Sequence, residues 1–570
     1  MPPNDWALPI AHPPETRPML RLFRILPLLA VVLFSVDAAA QSNVIPGTSV
    51  KLAKMDTITS LAHLGSFPNG INGIAMATTA CNIGSVKVPW QSPMLEDHAM
   101  ISFLVARENN GRFEQISDRS YVKHGFFALT SSYCNTCQEG PFGGGDLLGL
   151  GCSDTYKVNN NGDMFYLAPP AEIDPWLGEW DATCSYFDLG TSGTGTCDDV
   201  RSLSQSQVAA LGPVGTRVNV LDADLNVPGA DFFYQGFYTV RGEAENLRRD
   251  NLGHRQFTPS WNGSSWNLPS SGGSGQGDFV NGPIVQRWSG ATVTSVANGN
   301  DDGRVYGAVK VTPHVPFDGL YRYEYVLQNR DNSRGIDSFS LPVCSSARIL
   351  NAGFSDVDGD PLTDWNITVG SGAVTWDGTG NPLEWNTLYN FWFDSDAAPT
   401  SGFASLDQAA PGPGLATLAL PIQTPGALYN VYLGDGCATG AAPELFATGT
   451  PPQATIGNTS FGLTSTGNEP GASHLLFMSL APGSLSLPSG CTVYLGGSVG
   501  VEISQFSQTV ANASGVATYN LPVPASPALE GLSANFQAVT TNTAGGPFGG
   551  LFDLTNGLRV RLGNSLPDCP

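Results

Sequence analysis

The sequence predicts an all-β, β-dominated fold, and three observations carry that prediction. Glycine (67) and proline (42) are abundant among 570 residues while charged residues make up only 13%, a composition of many turns and short strands rather than long helices. Period-two alternation is plain at Tyr321, Tyr323, Tyr325 and Leu327, with Arg322 and Glu324 on the other side, the pattern of a half-buried strand. Helix signals are few: Ser202–Leu211 has a capping serine and an apolar end, but it is short.

From the N-terminus, Arg17, Arg21 and Arg24 precede the apolar run Ile25–Phe34 and the small residues Ala38, Ala39 and Ala40. A charged front, a short apolar middle and a small-residue end predict a secretory signal peptide over residues 1–40, with Met19 as the true start and Gln41 opening the mature chain. Pro27 and the shortness of the run argue against a membrane span, which needs about 20 apolar residues. The net charge of −23 argues against nucleic acid and anionic membrane surfaces as partners, because both would repel it. In an exported chain the ten cysteines are expected as disulfides. Cys184 and Cys197 flank a flexible loop they would staple, and Cys437 and Cys491 are the natural pair of the C-terminal region.

A mature length near 530 residues predicts two to four domains, since single cores stop growing near about 250–300 residues. Every tryptophan after the leader lies between Trp90 and Trp392, and charges thin out past residue 400. The expected order is a Cys-rich, β-containing domain over 41–215, a sandwich-like domain over 216–410, a Pro-spaced linker over 411–425 and a C-terminal β-sandwich over 426–570. Within the second domain, Asp231–Val240 reads as an aromatic strand, Val305–Val311 as another, and 320–344 as a hairpin turning at QNRDNSRG. Pro269–Gly277 reads as a mobile loop. The C-terminal strands are expected at Leu428–Leu433, Ser460–Thr464, His474–Ser479, Thr492–Leu495, Val516–Leu521 and Leu558–Leu562.

The segments ATIGNTSFGLTSTG, ATYNLPVPASPALEGLSANFQAV and LTNGLRVRLG resemble a β-sandwich module that ends many exported proteins of Planctomycetota-type bacteria. Upstream, VKHGFFAL, LGLGCSDTY, EIDPW, YRYEYVLQN and GIDSFSLPV resemble an uncharacterised secreted family of the same kind of organism. The two resemblances cover most of the mature chain. They imply export and a sandwich architecture and bring no activity with them.

The densest chemistry lies between Phe113 and Tyr156. There the spacing of Cys134, Cys137 and Cys152 offers three ligands to Zn2+, with His124 or Asp154 as a fourth. The competing and preferred reading is that these cysteines pair with Cys81 or with one another. Asp356, Asp358, Asp360 and Asp364 place alternate carboxylates in one loop, the kind of hard-oxygen cluster Ca2+ takes. Pro361 and Ile367 break the match to an EF-hand, and an acidic turn between strands explains the same residues. The run EIDPWLGEWD sets Glu172, Asp174, Glu179 and Asp181 beside Trp176 and Trp180. Paired carboxylates suit glycoside hydrolysis, tryptophan faces suit sugar stacking, and a loop pinned by two buried tryptophans suits neither. Gly496–Gly500 matches Gly-x-Ser-x-Gly around Ser498, but no histidine follows it and no helix is expected there, so the nucleophile reading fails. His98 and His124 read as structural histidines, with an acid-base or metal pair with Glu96 or Asp97 as the alternative.

These readings leave three functions in view. The first is an extracellular or cell-surface binding or structural protein whose partner is a polysaccharide or another surface component. The second is a secreted glycan-active enzyme with its site in residues 81–200, and the third is a metal-binding protein.

Overall fold

The computed structural model describes residues 43–563 apart from 92–93, 139–144, 192–194, 274–275, 299–302, 315–318, 345–346, 371, 413 and 428–429. Among the described residues strands make up 47% and helices 6%, and the sheets of the described strands are antiparallel throughout, so the fold is all-β. The expected leader and Cys569 lie outside the described residues, as do Leu428 and Tyr429 at the start of one expected strand.

Four sheets stack as successive layers, and the strand sequences show why. In Asp231–Thr239 the even-numbered Phe232, Tyr234 and Tyr238 enter one core while Phe233 and Phe237 enter two others on the opposite face. The neighbouring strand Met100–Asn109 divides likewise: Ile101, Phe103 and Val105 face one way, and Met100, Leu104 and Ala106 the other. A strand apolar on both faces must be covered on both. One face of this seven-stranded layer packs on the sheet of Val50–Leu64, Ile71–Asn82 and Val218–Leu221. The other packs on the sheet built around Arg304–Pro313, Tyr321–Asn329 and Thr387–Ser395 through Tyr306, Ala308, Val326 and Leu388. That third layer in turn packs on a fourth, formed by Ile336–Pro342, Ala373–Asp377 and Ala398–Gln408 with their neighbours. A separate sandwich of six- and three-stranded sheets closes on Leu463, Leu476, Tyr519, Phe536 and Leu558. All the described residues belong to one compact unit.

Three expectations change. The sheets do not divide at 215/216, because Val218–Leu221 pairs with Ile71–Ile74 and Asp231–Thr239 pairs with Met100–Glu108. Most of the 411–425 connector is strand: Thr417–Ala427 runs antiparallel along Ala398–Asp407. It is the outer strand of its sheet, the position where Pro421 and Pro425 are tolerated because no further ladder needs their missing N–H. Third, 320–344 is not a hairpin. Tyr321–Asn329 and Ile336–Pro342 belong to facing sheets, with Tyr325 and Phe339 packed across the gap at 5.7 Å between ring centroids. Alternation had correctly marked which side chains point inward, but it does not choose between pairing within a sheet and crossing between sheets.

The crossing is held by buried charge. Asp331, fully buried, accepts from Arg330 Nη2 at 2.9 Å and Arg248 Nη1 at 3.1 Å through Oδ2, and from the Arg304 N–H at 2.8 Å through Oδ1. Arg304 and Arg330 also share Glu245. A Cβ on Gly303 would sit 2.2 Å from the Asp331 carbonyl oxygen, so only glycine lets the chain pass here. Burial disfavours the Asp331 carboxylate, yet Arg330 and Arg248 hold its pKa below the ordinary range.

The capping serine is Ser204: its hydroxyl accepts from the Gln207 N–H, and its own N–H donates to the Gln207 side-chain oxygen, over a helix of only Gln205–Ala209. The glycine-rich loop after Pro269 is tethered, because Arg255 donates to the Ser271 and Gly273 carbonyls. The other expected C-terminal strands are present, ending at Gly557–Arg561, and a long strand at Ser533–Thr541 joins them.

Two outcomes follow. Asp331→Ala leaves two buried guanidinium groups without their carboxylate, and urea unfolding should show a loss of about 3–5 kcal/mol. His474, bonded to Asn468 Oδ1 at 2.8 Å and to the Tyr519 hydroxyl, is pushed down to about 4 by burial. Between pH 6.5 and 4 the unfolded chain therefore binds a proton the folded chain does not, and stability falls as pH falls. In His474→Gln that slope, measured by urea melts across the window, should shrink by at most about 1.4 kcal/mol per pH unit.

Candidate functional site

The site is built on the short strand Val122–His124, buried at all three residues. It pairs with Met100 and Ile101 on one side and with Leu167 and Ala168 on the other. Alternation sends Lys123 to one face and His124 to the other.

On the first face Lys123 Nζ donates to the carbonyls of His124 (3.1 Å) and Gly125 (2.8 Å). It lies over the rings of Tyr166 (4.4 Å), Phe126 (5.1 Å) and Tyr156 (5.5 Å). These groups, with Phe127, Asp146, Asn160 and Asp163, line a cavity of about 330 Å³, within the size range of small-ligand pockets. Burial pushes the Lys123 amine down to about 7, against the pull of Asp163 and Asp154. The Tyr156 hydroxyl, which accepts from the Phe127 N–H, is pushed up to about 12 by burial. Phe127 is 67% exposed at the mouth.

One wall of this cavity is held by cross-links. Ser153–Tyr156 pairs with Thr78–Cys81, and the disulfides Cys81–Cys134 and Cys137–Cys152 anchor the loop between them. The zinc reading of Cys134, Cys137 and Cys152 is thereby corrected: a sulfur bonded to sulfur is not a thiolate and cannot ligate. Asp154, the alternative ligand, instead accepts from Trp90 Nε1 at 2.6 Å and from the Leu129 N–H at 3.2 Å, and burial pushes it up to about 6.

On the opposite face His124 Nδ1 meets His98 Nε2 at 3.0 Å, with the rings of Trp180 and Phe187 beside it. Burial lowers both histidines, His98 to about 4 and His124 well below its ordinary value. The pair is neutral and enclosed, whereas Glu96 and Asp97 are exposed.

The four carboxylates of EIDPWLGEWD do converge. Asp174 and Glu179 face each other across a two-residue β-ladder, and with Glu172, Asp181, Glu96, Trp180 and Arg241 they line a second cavity of about 320 Å³. Most are engaged locally. Glu172 accepts from the Tyr186 N–H at 2.7 Å and Trp180 Nε1 at 3.4 Å. Asp174 accepts from the Trp176 and Leu177 N–H groups at 2.9 Å each, and Asp181 from that of Thr183 at 2.8 Å. Glu179 pairs with Arg241 at 3.6 Å. Burial raises the pKa of Glu172 and Asp174. The two tryptophans are not stacking platforms: Trp176 is 1% exposed and capped by Arg248, and Trp180 is 4% exposed.

The aspartate loop is a chain of side-chain turns. Asp356 accepts from the Asp358 N–H, Asp358 from that of Asp360, and Asp360 from that of Leu362. Among the described residues no three His, Cys, Asp or Glu side chains converge as a metal site, Asp364 included. Asp356 and Asp358 do border a groove of about 500 Å³ with Asp118, Asp224, Glu114 and Arg107, none of which the sequence singled out. Two further bridges, Cys184–Cys197 and Cys437–Cys491, are the pairs the spacing suggested. Among the described residues no cysteine is free, and no helix is long and apolar enough to cross a membrane.

Fold and site together define an all-β, disulfide-bridged, layered protein with one cavity at Lys123 and another among the carboxylates of residues 172–181. No protein family matches the chain, and no curated protein matches it. Among solved structures it is similar to a point variant of the major pilin subunit BcpA of Bacillus cereus, at 9% identity over 62% of this chain and 88% of that one, with a TM-score of 0.17. It is also similar to the Ca2+-stabilized adhesin with which an Antarctic bacterium binds ice (10% identity, 92% and 75% covered, TM-score 0.13). A third is a mutant of Salmonella alpha-2-macroglobulin (9% identity, 90% and 33% covered, TM-score 0.15). At these scores no site of theirs is equated with one here.

The bridges give a direct test. Replacing Cys137 and Cys152 together by serine opens a loop of about 15 residues and should lower stability by about 3 kcal/mol in urea; an unchanged midpoint would mean the bridge does not constrain the unfolded chain.

Proposed function

We propose that this is an exported, extracellular or cell-surface binding protein that takes a saccharide in the Lys123 cavity. The observation that carries this is the lining. Tyr156, Tyr166 and Phe127 offer ring surface, while Asp146, Asn160, Asp163 and Lys123 offer donors and acceptors, in a cavity of about 330 Å³. Apolar rings with a few polar groups fixing orientation are what a sugar needs, since its ring presents C–H faces and its rim hydroxyls. Export is supported by the disulfides, which persist in oxidising compartments, and by the leader pattern of residues 1–40. The origin in a secreted family of Planctomycetota-type bacteria belongs to the same proposal.

The convergence of Glu172, Asp174, Glu179 and Asp181 on one cavity favours a second reading, a glycan hydrolase acting there. It is the weaker one, because three of the four carboxylates already accept backbone N–H bonds.

Titration of the mature protein with soluble cello-, chito- and xylo-oligosaccharides separates the two. Binding that falls at least tenfold in Tyr166→Ala, a loss of about 1.4 kcal/mol, with no new reducing ends, is the expected result. Reducing ends that vanish in Glu179→Gln would favour hydrolysis and overturn the binding reading.

A further inference from the structure

The Lys123 cavity holds more than recognition requires. A lysine that only contacts a hydroxyl or a carboxylate usually sits at the surface, hydrated and charged. Lys123 is 3% exposed and lies on a strand between two others. Its hydrogen bonds run to two backbone carbonyls, His124 and Gly125, and a neutral amine has two N–H groups to give. The nitrogen lies 4.4 Å from the ring centre of Tyr166, 5.1 Å from that of Phe126 and 5.5 Å from that of Tyr156, and Lys123 lines the cavity with all three.

We propose that Lys123 captures carbonyl compounds, forming an imine with the open-chain aldehyde of a reducing sugar seated in this cavity. The inference rests on the cavity being a saccharide site and adds a covalent step to it. The nitrogen lone pair attacks the aldehyde carbon, and the C=O π pair moves to oxygen, which takes a proton from solvent at the open mouth. The carbinolamine then loses its hydroxyl as water while nitrogen gives up its protons. The balance is one amine and one aldehyde to one imine and one water, with no oxidant or reductant. The tyrosine rings cover the C=N bond, and Asp146, Asn160 and Asp163 are placed to hold the sugar hydroxyls.

The electrostatic surroundings suit a nucleophile at neutral pH. Desolvation lowers the amine to about 7, so a large share is uncharged there, while ordinary lysines near about 10.4 are almost wholly protonated. The charged and titratable groups facing it are Asp163 and Asp154, which oppose the lowering, and Arg201, which adds to it. Tyr156 and Tyr166 flank it, and His124 on the same strand is neutral. A neutral amine, partly desolvated, is the state in which lysine attacks carbonyls.

The test is reductive trapping on the mature protein, with cellobiose, chitobiose and xylobiose as probes and their methyl glycosides as controls. Each reducing sugar is incubated with sodium cyanoborohydride at about pH 7.5 and at about pH 5.5, and peptides are mapped by mass. The expected result is a reduced disaccharide on Lys123 at least tenfold above Lys51, Lys54, Lys87, Lys157 and Lys310. That adduct should fall at least about tenfold at the lower pH as the amine gains its proton. Methyl glycosides that bind by calorimetry, beside reducing sugars that leave no Lys123 adduct or label all lysines alike, would overturn the inference and leave the binding reading standing. If neither form of any sugar binds or labels, both fall.

Discussion

The arrangement of layers depends on one buried carboxylate. Asp331 sits where the chain leaves Tyr321–Asn329 and crosses to the facing sheet, and it gathers Arg330 from its own turn, Arg248 from the short helix Glu245–Asp250 and the Arg304 N–H from the neighbouring strand. Removing two guanidinium groups and a carboxylate from water is costly, and that cost is offset here by the ion pairs and hydrogen bonds Asp331 collects, although Nε and Nη1 of Arg330 meet no partner among the described residues. Here Arg248 also donates to the carbonyls of Glu243, Pro175 and Trp176 and lies over the Trp176 ring. One network therefore fixes the crossing, the EIDPW loop and the seating of the second layer on the third. Arg112 reinforces the same junction, pairing with Glu324 at 3.2 Å and covering the Trp392 ring at 3.7 Å.

That seating is what positions the site. Because the second layer is covered on both faces, Val122–His124 is a buried strand, and alternation alone decides what each residue does. His124 goes into a dry pocket with His98, Trp180 and Phe187 and loses its charge. Lys123, one residue earlier, goes toward the cavity and keeps only two carbonyl partners. The chain carries a net charge of −23, yet the interior around this strand collects Lys123, Arg201 and two histidines. Asp154 and Asp163 stand beside Lys123, and further carboxylates gather in the cavity of Glu172, Asp174, Glu179 and Asp181 and in the groove of Asp118, Asp224 and Asp356.

What was legible in the sequence was face, and what was not was partnership. Tyr323, Tyr325 and Leu327 are inward as alternation required, but the turn after them bridges two sheets, because Asn329, Arg330, Asp331 and Asn332 are buried linkers rather than exposed turn residues. Pro421 and Pro425 looked like punctuation and are part of an outer strand. Carboxylates close in sequence stayed close in space, since a β-hairpin holds Asp174 against Glu179; their tryptophans went inward, as the reading of a loop pinned by two buried tryptophans has it. Lys123 was missed altogether. Its one trace was a single cation inside the run VKHGFFAL, and its meaning depends on burial by rings far along the chain, Tyr156 and Tyr166.

The central claim is that the Asp331 network makes the second and third layers one mechanical body. Native-state hydrogen exchange read by mass spectrometry tests it most directly. The account predicts that amides of Phe103–Val105, Phe233–Gly236, Val326–Gln328 and Leu388–Asn390 lose protection together, with one common opening free energy, and that disrupting Arg248 lowers all four by the same amount. Separate opening energies for the first two segments and the last two, unmoved by that change, would contradict it.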